Sequence, residues 1–280
     1  MKGEVFVVDQ GAYGRVLIAD SLTYCDDRAN ARDVFVGASF AGASPVAVAL
    51  RAGVKAVIAH ACGVGKDDAG IAGLELAQRF GVPAAAVETM SARVSDARSL
   101  YDGIIGHANA AALRYGVKPG MATHTAAWAL LAAPPGRPAE ITGLPGDEVR
   151  ELYRGGQGGI YGAWSLSLVE GKRPGDVFCA GSHSGAVMCR YALQAGPKAV
   201  IANDGGRAKD DSAIAGLPML DRVAMPAAAV AAASARIGDP RSTYEEGVLS
   251  AVNAAAAAAG LRVGMSARAA AHLLLALPGR

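Results

Sequence analysis

The chain has 280 residues, 52% of them hydrophobic but only 5% aromatic, and a formal net charge of +2. That length suits one large α/β unit or two domains of about 140 residues each. The near-neutral charge, with Lys and Arg scattered rather than striped, removes any electrostatic case for nucleic acid or anionic lipid. No apolar run reaches the roughly 18 to 20 residues that a membrane span needs.

The amino-terminal MKGEVFVVDQG has no signal-peptide pattern, so a cytoplasmic protein is expected. In chain order, DVFVGAS (33–39) reads as an apolar strand ending in a small-residue turn, and GASPVAVALRAG as a helix closed by Gly53. KAVIAHA (55–61) is a second buried strand, CGVGKDD a loop, and AGIAGLELAQRF a helix ending at Gly81. VPAAAVE is a third strand and SARVSDA a loop. SLYDGIIGHANAAALRYG reads as one long helix stopped by Gly116, and ATHTAAWALL as the last helix. The four cysteines, 25, 62, 179 and 189, form no CxxC pair and no metal-ligand spacing. Free thiols, no metal and no cofactor are expected.

Asp-Val-Phe at 33–35 then returns at 176–178, and the chain repeats itself 143 positions later as far as Tyr101 and Tyr244. About half of these positions are identical, far beyond the accident of shared composition. An inserted residue near Glu246 shifts the offset by one, so that Asn109 pairs with Asn253. The sequence therefore predicts an α/β fold made by tandem duplication, with two pseudo-symmetric halves of mainly parallel strands covered by helices. The first repeat spans 1–137, a Gly-rich connector 138–159, and the second repeat 160–280. Residues 1–17 and 138–159 align poorly, which implies that the outer elements have diverged.

Ligands of open parallel sheets gather beyond the carboxyl ends of the strands, and three loops per repeat qualify. After strand one, Ser39 and Ser182 are shared, while Phe40 and Ala41 become His183 and Ser184. The serines either cap the following helix or act as a nucleophile or anion ligand. After strand two, HACGVGKDD (60–68) faces NDGGRAKDD (203–211). A nucleotide phosphate loop is ruled out, because His60 and Asp67 stand where Gly and Ser or Thr are needed. One aspartate of each pair, 67/68 and 210/211, is expected to cap the next helix. Lys66 and Lys209 lie near a positive helix end and are candidate bases or anion ligands. After strand three, Ser91/Ser234, Arg93/Arg236 and Asp96/Asp239 recur, the aspartates as helix caps. The arginines either clamp a carboxylate or pair with Asp67 and Asp210 of the preceding loop.

The unequal loops point to chemistry in the second repeat. Ser182 attacks, Lys209 or His183 takes its proton, Asp204 orients the base, and the amides of Gly205 and Gly206 hold the oxyanion. Ser39, Lys66, Arg93, Asn203, Ser234 and Arg236 complete the substrate site, which is expected between the repeats. His60 with Cys62 is a second possibility, balanced by a structural role for both. In residue types alone, the recurring Ser, Lys and Arg resemble the ring-opening cyclic amide hydrolases of the cyanuric acid type. No stretch of this chain aligns with them, and they use three units rather than two. The expected function is a metal-independent hydrolase acting on an amide, cyclic amide or small carboxylated substrate. The alternatives are an isomerase or lyase moving protons on a small carboxylate, and a non-catalytic small-anion-binding protein. A homo-oligomer is allowed for; nucleic acid and membrane are not expected as partners.

Overall fold

The computed structural model describes residues 3–156 and 158–278. It divides into two compact units: Met1–Val64, Gly70–Leu144 and Ala208–Asp210 form unit 1, and Gly65–Ala69, Pro145–Arg207 and Asp211–Arg280 form unit 2. Each unit thus includes a short loop whose sequence belongs to the other repeat.

Unit 1 carries a six-stranded sheet whose spatial order follows the sequence. The strands are β1 (Val5–Gly11), β2 (Gly14–Ala19), β3 (Val34–Phe40), β4 (Ala56–His60), β5 (Ala84–Val87) and β6 (Ile105–Ala108). β2 to β5 are parallel, and the outer strands β1 and β6 are antiparallel to their neighbours. The continuous apolar strands follow from burial on both faces: Val34, Phe35 and Val36 are all fully buried. Helices α1 (Ala43–Ala52) and α2 (Ala72–Arg79) pack on each other. α3 (Ala97–Tyr101) and α5 (Thr123–Leu130) place Leu100, Ala126 and Leu130 in one core with Val34, Val36 and Ile58. The short α4 (Ala110–Leu113) follows β6.

Unit 2 repeats the plan with β7 (Arg150–Gly155), β8 (Gly158–Ala163), β9 (Val177–His183), β10 (Ala199–Asn203), β11 (Ala227–Val230) and β12 (Leu249–Val252). Its helices are α6 (Ala186–Ala195), α7 (Gly216–Asp221), α8 (Pro240–Glu246), α9 (Ala254–Ala258) and α10 (Ala267–Leu275). Strand alternation divides the core. Val177 and Cys179 meet α8 and α10 on one face, and Phe178 and Ala180 meet α6 and α7 on the other.

Two readings of the sequence are corrected here. The long helix expected over 99–116 is broken into α3, the strand β6 and α4. Gly103 and Gly106 weaken a helix at this point. Asn109 fixes the break: it accepts hydrogen bonds from the amides of Ala84 and Ala112 and donates to the carbonyls of Leu74 and Val82. Asn253 makes the same four bonds in unit 2, with Ala227, Ala256, Leu217 and Met225. The outer segments that align poorly also have the same structure, since β1/β2 and β7/β8 are matching hairpins, each with one irregular step in register. The residue that opens the second strand is a left-handed glycine in both, Gly14 (φ +134°) and Gly158 (φ +133°). A Cβ there would collide with the carbonyl of Arg32 or of Gly175.

Candidate functional site

The loop after β10 in unit 2 and the loop after β4 in unit 1 solve one hydrogen-bonding problem with different side chains. Asn203 accepts from the amide of Gly205 at 2.9 Å and donates from Nδ2 to the carbonyl of Ala235 at 3.1 Å. His60 does the same: Nδ1 accepts from the amide of Cys62 at 2.9 Å, and Nε2 lies 3.0 Å from the carbonyl of Ala92. With Nδ1 an acceptor, the proton sits on Nε2, so the ring is neutral. Burial pushes its pKa below the ordinary value. The next amide is also matched. Gly206 donates to Asp204 Oδ1 at 3.0 Å, whereas Gly63 donates to Thr89 Oγ1 at 2.8 Å.

These pairings correct several expected roles. The amides of Gly205 and Gly206 are taken by Asn203 and Asp204, and so do not form an oxyanion hole. Asp204 meets no candidate base among the described residues: it also accepts from the amide of Ala232 at 2.9 Å and the hydroxyl of Ser250 at 2.8 Å. Cys62 is fully buried and serves this loop through its backbone. Ser91 and Ser234 are turn staples. Each donates to the carbonyl three residues earlier, Glu88 or Ala231, and accepts the amide of Ile104 or Val248.

The Lys-Asp-Asp turns are conformationally costly. Of the ten non-glycine residues with left-handed φ among the described residues, eight lie in the two loops, including Asp67 and Asp68 (both φ 54°) and Asp210 and Asp211 (φ 56° and 55°). Each such residue costs about 1–2 kcal/mol, least for aspartate or asparagine. None caps the next helix, since the N-cap positions of α2 and α7 are Ile71 and Ala215, without side-chain caps. Asp67 instead meets Arg236 at 2.9 Å within unit 2, and Asp210 meets Arg93 at 2.7 Å within unit 1. The arginines are therefore engaged by aspartates, but from the opposite repeat to the one expected. Arg236 also meets Glu246 at 3.2 Å, and Lys66 meets the same carboxylate at 3.3 Å. Hydrogen bonds from Ser242 and Lys66, with the charge of Arg236, hold Glu246 below its ordinary pKa. Lys209 is exposed, and its ammonium has no partner among the described residues. Asp96 and Asp239 cap α3 and α8, as the sequence predicts.

The first loop differs most. Neither serine is a cap, because α1 and α6 start at Gly42 and Gly185 without side-chain caps. Ser39 accepts the amide of Leu22 at 3.0 Å. Its counterpart Ser182, only 8% exposed, has no partner for its hydroxyl among the described residues. Two positions on, the Ser184 hydroxyl is fully buried and also without a partner. His183 accepts the amide of Gly185 on Nδ1 at 3.1 Å, which leaves Nε2 as the protonated nitrogen. Among the described residues Ser182 makes no hydrogen bond to His183 or Lys209.

Sequence reasoning passed over Thr89 and Ser250. A signal was present for Thr89: Ala61 with Thr89 becomes Asp204 with Ala232, an exchange of acceptors between two loops. No protein family, no curated protein and no solved structure matches this chain.

Proposed function

We propose that unit 2 carries a small-molecule site at the carboxyl end of β9, and that it takes a small anionic or amide ligand through the hydroxyls of Ser182 and Ser184. One observation carries this reading. Two near-neighbouring serines, each more than nine-tenths buried as a residue, make no hydroxyl hydrogen bond among the described residues, and the Ser184 hydroxyl, itself fully buried, lacks the partner that buried polar groups otherwise have. They directly precede the uncapped start of the ten-residue helix α6, where amides and dipole favour negative charge. The first repeat, with Phe40, Ala41 and a bonded Ser39, lacks this pair of unpartnered hydroxyls.

Thermal unfolding with phosphate, acetate and a cyclic amide tests the reading. Stabilisation of the natural chain that disappears in Ser182→Ala and Ser184→Ala is the expected result; equal stabilisation of all three proteins refutes it. A second reading makes Ser182 the nucleophile of a metal-independent hydrolase, supported by the same unbonded hydroxyl. Product release from an amide or cyclic amide, abolished by Ser182→Ala, is its signature. Incorporation of solvent deuterium at carbon identifies an isomerase or lyase instead. The four free cysteines, all buried, support a reducing compartment such as the cytoplasm as the place of action.

A further inference from the structure

Unit 1 contains a cavity of about 340 Å³ beside the amino-terminal ends of β4 and β5, with Lys55, Phe80, Pro83, Pro134, Arg137 and Pro138 in its lining. That volume lies within the range of small-molecule pockets. Its walls are unusually rigid, because proline rings have little conformational freedom to lose when a ligand packs on them. Phe80, 45% exposed, supplies an aromatic wall with no obvious packing duty.

Two cations, Lys55 and Arg137, and one carboxylate, Glu140, line this cavity. Lys55 is only 4% exposed and donates to the carbonyls of Tyr13 at 2.8 Å and Leu131 at 2.9 Å. An ammonium has three protons, so one remains, and no carboxylate contacts Lys55 among the described residues. Burial, and secondarily the charge of Arg32, lowers its pKa against the opposing pull of the Asp33 carboxylate. Arg137 is exposed and makes neither a hydrogen bond nor an ion pair among the described residues. A planar guanidinium of this kind suits two-point recognition of a carboxylate.

We propose that this cavity binds a small monocarboxylate with an apolar body, its carboxylate held by Arg137 and the remaining proton of Lys55, its body lying against Phe80 and the proline walls. The site lies in unit 1 and does not depend on the function proposed for Ser182 and Ser184.

Isothermal titration with benzoate, acetate and phenol tests it. Benzoate is expected to bind at one site, and to bind more tightly than either acetate or phenol. Arg137→Ala should weaken benzoate about 10-fold, in keeping with a charge-assisted hydrogen bond, and Phe80→Ala should also weaken it. Both positions are exposed, so the variants retain the fold, which circular dichroism checks. Repeating the titration in Ser182→Ala, where the site proposed in unit 2 is removed, reads benzoate held in this cavity alone and keeps the two sites distinguishable. Absence of saturable benzoate binding, or unaltered binding in both Arg137→Ala and Phe80→Ala, overturns the proposal.

Discussion

His60 and Asn203 do the same work in their loops, and replacing one type by the other tests that equivalence. His60 is fully buried, and removing its ring by His60→Ala orphans the amide of Cys62, in a fully buried residue, and leaves the carbonyl of Ala92 with only the amide of Lys209 at 3.3 Å. Each buried group left without a partner costs about 1–3 kcal/mol, and the space vacated by the ring adds roughly 1–2 kcal/mol. The expected loss is about 2–5 kcal/mol. His60→Asn restores both hydrogen bonds as Asn203 makes them, and should cost only about 1 kcal/mol for the lost volume. At roughly 2–4 °C per kcal/mol for a chain of this size, the two variants melt about 5–10 °C apart. Denaturant unfolding at pH 8, followed by circular dichroism, measures the difference. Equal destabilisation by Asn and Ala, or a loss below about 1 kcal/mol for Ala, would show that these bonds do not hold the loop.

Other expectations follow from the same pairings. His60 has a lowered pKa in the folded chain, so its contribution is complete above its ordinary value of 6.5 and is lost as pH falls below it towards the folded value; that part of the stability–pH slope is absent in His60→Asn. Asp204→Ala should cost about 3 kcal/mol by orphaning the amides of Gly206 and Ala232, and adding Ala232→Thr, the first-repeat solution, should recover part of it in a double-mutant cycle. Ser39→Ala is expected to lose about 1–2 kcal/mol because the amide of Leu22 is left unpaired, while Ser182→Ala is near neutral; equal losses refute the difference between the repeats. Ser184→Ala removes a buried hydroxyl without a partner and should raise stability by about 1 kcal/mol, measured by denaturant midpoint, and a fall in that midpoint would reveal a partner. Arg93→Ala breaks a half-exposed ion pair and should cost at most about 1 kcal/mol, less in high salt.

The duplicated α/β architecture was legible because continuous apolar runs and glycine stops are local signals. The caps at Asp96 and Asp239 were legible for the same reason. The strand β6 was not: Gly103 and Gly106 only weaken a helix there, and the break is fixed by the non-local bonds of Asn109 to Leu74, Val82 and Ala84. The loops misled for a related reason. His183, Asn203 and Asp204 look like unspent polarity when read along the chain. In the fold, Asn203 and Asp204 bond chiefly to backbone amides and a carbonyl, and His183 takes the amide of Gly185. Ser182 kept its interest on opposite grounds, since the bond that occupies Ser39 is missing there.

The exchange of short segments between the units has a covalent consequence. Arg93 finds its carboxylate on Asp210, and Arg236 finds one on Asp67, each more than a hundred positions away in the polypeptide. A protein severed after Leu144 would strand Arg93 and lose the three residues, Ala208–Asp210, that complete its compact unit. The segment that was once copied is thus now completed, as a compact unit, by three residues written in the other copy.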